Sequence, residues 1–184
     1  MDSRVTLGTL AFGPVDATLL APATAALLAT HPSLAQVAAT VEIDPNLADT
    51  AALTQTYGLT PEASANCVIV RGKRGGEERV AACVVLSHTR ADVNHLVKRT
   101  LDVRKLSFAP QDWAVETAQM EYGGITPVGL PDDWTILVDR AVTEQAWVIV
   151  GSGLRRSKLA LPGAALGLLP GAQVLDDLGL VPNV

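Results

Sequence analysis

Aromatic residues make up only 4% of the 184 positions, so the core has to be built mostly from Ala, Val and Leu. Cysteine is nearly absent. Cys67 and Cys83 both sit in β-rich apolar runs, which reads as two buried, reduced thiols. A catalytic cysteine needs a histidine nearby, and His88 is the one candidate close in sequence. No Cys/His spacing resembles a zinc site, and no metal or cofactor is expected. No apolar run reaches the ~18 residues that span a bilayer. The apolar stretch Leu19–Thr30 is short and has no basic segment before it, which predicts neither a signal peptide nor a membrane anchor and a cytoplasmic location. Nucleotide-binding motifs are missing too. Gly151-Ser152-Gly153 is too short for a dinucleotide turn, and no P-loop occurs.

What is present is ample apolar material: 48% hydrophobic residues and a mean hydropathy of +0.28, enough for one packed domain. The reading divides it into an N-terminal arm and helix (1–36) packed on one globular unit (37–184). The net charge of −5 argues against generic nucleic-acid binding. The distribution says more than the sum. Twelve of the 14 Lys and Arg fall in three stretches, 71–79, 90–105 and 155–158. If the fold gathers them, an acidic protein still carries a basic face able to hold phosphates; otherwise they are three separate solvated faces.

Periodicity predicts about six strands and five helices. Val5–Leu10 reads as a short strand or arm. Asp16 is placed to cap an Ala/Leu helix reaching Thr30. Val37–Ile43 is β-like, and a helix opening at Asn46 or Asp49 runs to Tyr57 with Gly58 as its C′ residue. Residues 66–70 and 80–86 form a hairpin of strands covered on both faces, with 71–79 as a long basic tip. Asp92 caps a helix to Leu101, 102–108 is a link, and another helix spans Pro110 to Met120. Thr135–Val138 and Ala146–Val150 are strands, Pro162–Leu169 is a last helix, and 178–181 closes a sheet edge.

Residues 121–129, Glu-Tyr-Gly-Gly-Ile-Thr-Pro-Val-Gly, carry the strongest chemical suggestion. Gly123 and Gly124 have no Cβ to keep a ligand from the backbone, and Pro127 fixes φ beyond them. Such a loop can present main-chain N–H groups to a polarised carbonyl or an oxyanion; the plain alternative is a surface turn. Thr126 and Ser152 add hydroxyls that could orient water or cap their own backbone. Asp132 and Asp133 are adjacent and read as a solvated turn. His31 and His95 read as helix-associated, and Trp113, Trp134 and Trp147 as core or pocket wall.

The order of elements resembles one family. A helix ends in Tyr57-Gly58-Leu59-Thr60-Pro61, a hairpin follows, then an Asp-capped helix, Arg104-Lys105-Leu106-Ser107-Phe108-Ala109, the Gly123–Gly129 loop, and a strand ending in Gly151-Ser152-Gly153. Over residues 37 to 170 this is similar to the YbaK/EbsC family of aminoacyl-tRNA deacylases and prolyl-tRNA synthetase editing domains. The resemblance implies a single α/β (α+β) domain with a mixed, mostly antiparallel curved sheet or partial barrel flanked by helices. It implies hydrolysis of the ester of a mischarged small amino acid on tRNA, with water as nucleophile and Gly123, Gly124, Ile125, Thr126 and Pro127 holding the substrate through backbone atoms. A monomer or weak homodimer acting on the acceptor end of tRNA, with an aminoacyl-tRNA synthetase as a further partner, goes with it. The family's lysine at the start of the first hairpin strand is replaced here, with Asn66 at that place. Lys158 stands where the family tends to have an aspartate.

On this reading Asn66 contacts the ribose or terminal phosphate and Ser152-Gly153 form the opposite rim, with His88 near. Arg71, Lys73, Arg74, Arg155 and Arg156 engage the acceptor stem. The alternatives are a family member that has lost its chemistry and binds tRNA, a nucleotide or a protein, and an unrelated hydrolase using Cys67 or Cys83.

Overall fold

The structure, a computed structural model, describes residues 4–182. The strands are β1 (Val5–Leu7), β2 (Leu10–Pro14), β3 (Ala39–Glu42), β4 (Ala65–Arg74), β5 (Glu77–Leu86), β6 (Arg90–Ala91), β7 (Leu106–Phe108), β8 (Thr135–Asp139), β9 (Val148–Gly151), β10 (Ser157–Leu161), β11 (Ala172–Leu175) and β12 (Gly179–Leu180). The α-helices are α1 (Pro22–Thr30), α2 (Pro32–Val37), α3 (Thr50–Tyr57), α4 (Lys98–Thr100), α5 (Gln111–Ala118), α6 (Arg140–Thr143) and α7 (Gly163–Leu166).

Two five-stranded sheets form the frame, in the orders β1-β2-β3-β10-β9 and β11-β8-β5-β4-β7. The first is antiparallel throughout; in the second, β8 pairs parallel with both β5 and β11. A parallel bridge from Ser64 to Ile149 brings β4 up to β9, where the sheets meet. This is the mixed, largely antiparallel curled sheet that the sequence implied. Among the described residues no helix is long and apolar enough to cross a membrane.

β5 explains why its sequence is almost unbroken in apolar residues. Ala82 and Val84 face the main core with Leu159, Leu161 and Trp134, while Ala81, Cys83 and Val85 face a second core with Val93, Val97 and Leu178. A strand buried on both faces has no polar side to alternate with.

Four local expectations change. The hairpin strands run on to Arg74 and Glu77, leaving only Gly75 and Gly76, both at positive φ, as the turn. Positive φ at both turn residues matches the right-handed twist of the strands, so the basic stretch is strand, not tip. Asp16 does cap, accepting the Thr18 amide at 2.8 Å, but it caps a 3-10 turn. The helix proper waits for Pro22, because the residue before a proline is pushed to extended backbone and Ala21 sits at ψ 152°. Asp92 accepts the amides of His95 and Leu96 and opens a π-helical turn, Val93–Val97, that runs into α4. The supposed link contains β7, paired with β4 through Arg71 and Ser107.

Candidate functional site

A cavity of about 530 Å³ opens where the two sheets meet. Asn66, Cys67, Val68 and Ile69 of β4 form one wall, and Gly151 of β9 and Lys158 of β10 form the facing one. Ala48, Asp49 and Thr50, at the start of α3, close one end; Tyr122, Gly123 and Ile125 close another. The Thr50 hydroxyl donates to Asn66 Oδ1 at 2.8 Å, which fixes the carboxamide and leaves its NH2 for the cavity.

Lys158, which stands where the resemblance has an aspartate, is buried in the cavity lining. It is 5% exposed, and its ammonium donates to the Ala48 carbonyl at 2.7 Å. Burial pushes its pKa down to about 8, with the Asp49 carboxylate pulling the other way and Arg155 adding to the fall. One hydrogen bond leaves two ammonium protons, so a buried cation is held ready beside the cavity. Asp49 precedes α3 but makes no side-chain cap bond, so its carboxylate is free for other work. The signal for Lys158 was a single charge inside the run Ser157-Lys158-Leu159-Ala160-Leu161, every residue of which is buried.

The glycine loop is rigid for a different reason from the one its sequence suggests. The Gly124 amide donates to the Glu121 carbonyl at 2.9 Å, and the Gly124 carbonyl accepts from Gly153 N at 2.8 Å. A Cβ on Gly124 would lie 2.7 Å from the Leu154 backbone, and one on Gly151 would lie 2.2 Å from the Gly124 carbonyl oxygen. The close approach that glycine permits is therefore to the chain's own backbone. Thr126 and Pro127 are buried, and the Thr126 hydroxyl accepts only the Val128 amide, at 3.4 Å. Only Gly123 and Ile125 of the five reach the cavity, and among the described residues nothing takes their amides.

A sequence model described as the aminoacyl-tRNA editing domain matches residues 44–167. The chain belongs to the aminoacyl-tRNA editing domain family. No curated protein matches the chain. Several solved structures share the fold. The hypothetical protein APE2540 has a TM-score of 0.66 at 23% identity, over 76% of this chain and 89% of that one. A candidate trans-editing enzyme for prolyl tRNA synthetase has a TM-score of 0.69 at 20% identity, over 85% and 97%. A scaffold from computational epitope grafting has 0.69 at 19%, over 85% and 97%.

In this editing domain several expected contacts are spent elsewhere. Ser152 is buried, its hydroxyl 2.8 Å from that of Ser157, and its carbonyl accepts from Ala21; Gly153 packs against Ala21. Both therefore brace the glycine loop and do not form a rim. His88 is exposed beyond the end of β5 and leans on the Pro61 carbonyl at 3.3 Å, away from the cavity. Arg156 pairs with Glu42 at 3.5 Å and donates to Thr18 O at 2.6 Å. Arg74 pairs with Asp102 at 3.3 Å. Arg155 stays at the cavity edge, its guanidinium 5.5 Å from the Tyr122 ring centre. Trp113 and Trp134 stack at 5.5 Å but inside the packing, with Arg71 over Trp113. The exposed aromatic rings are instead Phe108 (66%) and Tyr122 (51%), and both line the cavity.

Cys83 is buried and Cys67 is half-buried in the cavity wall, but among the described residues no histidine lines that cavity to activate a thiol. Burial pushes the Cys83 thiol up to about 12, and burial with Cys83 alongside drives Cys67 higher still. Such thiols stay protonated and are poor nucleophiles at neutral pH.

Proposed function

We propose that this editing domain hydrolyses the ester joining a small amino acid to the terminal ribose of tRNA, acting in trans on mischarged tRNA. The observation that carries it is the gathering of Asp49, Lys158, Asn66, Gly123 and Ile125 around one cavity. An aminoacyl ester presents an α-ammonium and a carbonyl oxygen a few ångströms apart, and the cavity lining includes a carboxylate, Asp49, and an ammonium, Lys158.

Asp49 pairs with the α-ammonium. Lys158 and the free amides meet the carbonyl oxygen, where negative charge grows as water attacks. The water oxygen bonds to the acyl carbon, the bond from that carbon to the ribose oxygen breaks, and the ribose oxygen takes up the proton that the attacking water gives up. The Asn66 carboxamide contacts the ribose. The rings of Phe108 and Tyr122 give the terminal base a flat apolar surface at the mouth. The apolar wall of Cys67, Ile69 and Ala114 limits the amino-acid side chain, at about 1–3 kcal/mol per methylene.

Incubation with a panel of aminoacyl-tRNAs tests this. Release above the buffer rate is expected for at least one small amino acid, with Lys158→Met lowering kcat/KM by about 10²-fold or more. If no member of the panel is released faster than in buffer, the deacylase reading goes.

A further inference from the structure

The described part of the chain holds a second concavity, of about 850 Å³, beside the first. Arg71 and Lys73 of β4, Lys98 of α4, and Arg104 and Lys105 before β7 line it, with Glu78 the one carboxylate. Five of the nine cations in the stretches 71–79 and 90–105 are thus gathered on one surface of a protein whose net charge is −5.

The pairing within it is uneven. Glu78 is 3.0 Å from Arg71, while among the described residues Lys73, Lys98, Arg104 and Lys105 have no ion-pair partner. The neighbouring cations Arg74 and Arg79 are neutralised by Asp102, at 3.3 and 3.6 Å, and neither lines the groove. Four like charges kept together without counter-charges repel one another, which favours a polyanion that relieves the repulsion.

β7 ties this groove to the candidate site. Leu106 and Ser107 line the groove, and Phe108, next in the same strand, lines the cavity. At about 3.3 Å per residue, a ligand end entering past Phe108 has its body within about 7 Å of the groove.

We infer that this groove binds the sugar-phosphate backbone of the tRNA acceptor stem, with Lys73, Lys98, Arg104 and Lys105 on its phosphates. The inference rests on the reading of the adjoining cavity as the site of the aminoacyl end. Arg155 and Arg156, which the sequence grouped with these cations, take no part in it, because they lie on the other side of the cavity or are already paired.

The experiment is binding of uncharged tRNA, followed by fluorescence anisotropy across a salt series. Phosphate contacts make log K fall linearly with log salt concentration. The pair Lys98→Gln/Lys105→Gln is expected to lower the magnitude of that slope by about 2. The pair Arg99→Gln/Arg140→Gln removes the same charge from outside the groove and is expected to leave the slope nearly as it was. An unchanged slope in the groove pair, an equal fall in both pairs, or wild-type binding without salt dependence each overturns the groove. Binding needs no hydrolysis, so the two readings fail separately. A chain that shows the slope change but deacylates nothing keeps the groove and loses the activity; one that deacylates with an unchanged slope loses the groove alone.

Discussion

Lys158 donates to the Ala48 carbonyl at 2.7 Å, and that bond holds a buried ammonium in the wall of the cavity. With its pKa pushed down to about 8, the group gives up its charge just above neutrality. If the cation meets the developing oxyanion, kcat/KM falls as pH rises through about 8, once the hydroxide-driven background is subtracted. The substrate's own α-ammonium loses its charge in the same range, so the test is the difference. Lys158→Met, at its much lower rate, should show a shallower limb than wild type on the same substrate. Equal limbs in the two proteins would assign the whole fall to the substrate. A wild-type profile that stays flat from pH 7 to pH 9.5 removes the lysine from this role.

The same burial has a stability signature. The folded-state pKa lies below the ordinary 10.5, so between about 8 and 10.5 the unfolded chain binds more protons than the folded one. Stability therefore rises with pH through that window, and the cost of burying the ammonium is fully present below it. Lys158→Met should stabilise the protein at pH 7 by about 1–3 kcal/mol, and the gain should shrink toward pH 10.5. Urea unfolding of both proteins at the two pH values measures it. A variant less stable than wild type at pH 7 would mean that the bond to Ala48 outweighs the desolvation.

Gly151 and Gly13 make a matched pair of substitutions. A Cβ at Gly151 meets backbone oxygens of Gly124 and Ile125 at 2.2 and 2.5 Å, whereas one at Gly13 meets nothing within 4 Å. Backbone cannot turn aside as a side chain can, so Gly151→Ala must move the loop that carries Gly123 and Ile125. About 1–3 kcal/mol of stability should go with it, together with most of the activity. Gly13→Ala should be neutral or slightly stabilising in thermal melts. Equal behaviour of the two would mean that the loop tolerates displacement.

The two long strands were readable because Ile69, Val70 and residues 80–86 are buried, and doubly covered strands advertise themselves as apolar runs. β10 was not, although it is an interior strand of its sheet, paired with β3 and β9. Arg155, Arg156 and Lys158 make its beginning look like a polar loop, and only the fold reveals that Lys158 has a carbonyl to bond in the interior. β7 escaped because three residues, Leu-Ser-Phe, carry no period. The glycine loop lies at the cavity, with Gly123 and Ile125 in its lining. Its internal roles were hidden, because the surfaces that Gly124 and Gly151 approach, the backbones of 154 and 124, are contacts between segments far apart in the chain.

That hidden placement of Lys158 sets up the sharpest comparison. The resemblance puts a lysine where Asn66 stands and an aspartate where Lys158 stands, and here both residues line one cavity. Asn66→Lys alone would set a second cation beside the first. Like charges in a partly buried site weaken each other's ionised forms, so both substrate affinity and stability should drop. Lys158→Asp alone would put a second carboxylate near Asp49 and remove the buried ammonium from the cavity, with a loss of about 10²-fold or more in kcat/KM. The double variant Asn66→Lys/Lys158→Asp returns one cation to the cavity, on the opposite wall. Its kcat/KM should exceed the product of the two single effects, with a coupling of about 1–3 kcal/mol. Strict additivity across the cycle would mean that the two positions do not serve the same charge.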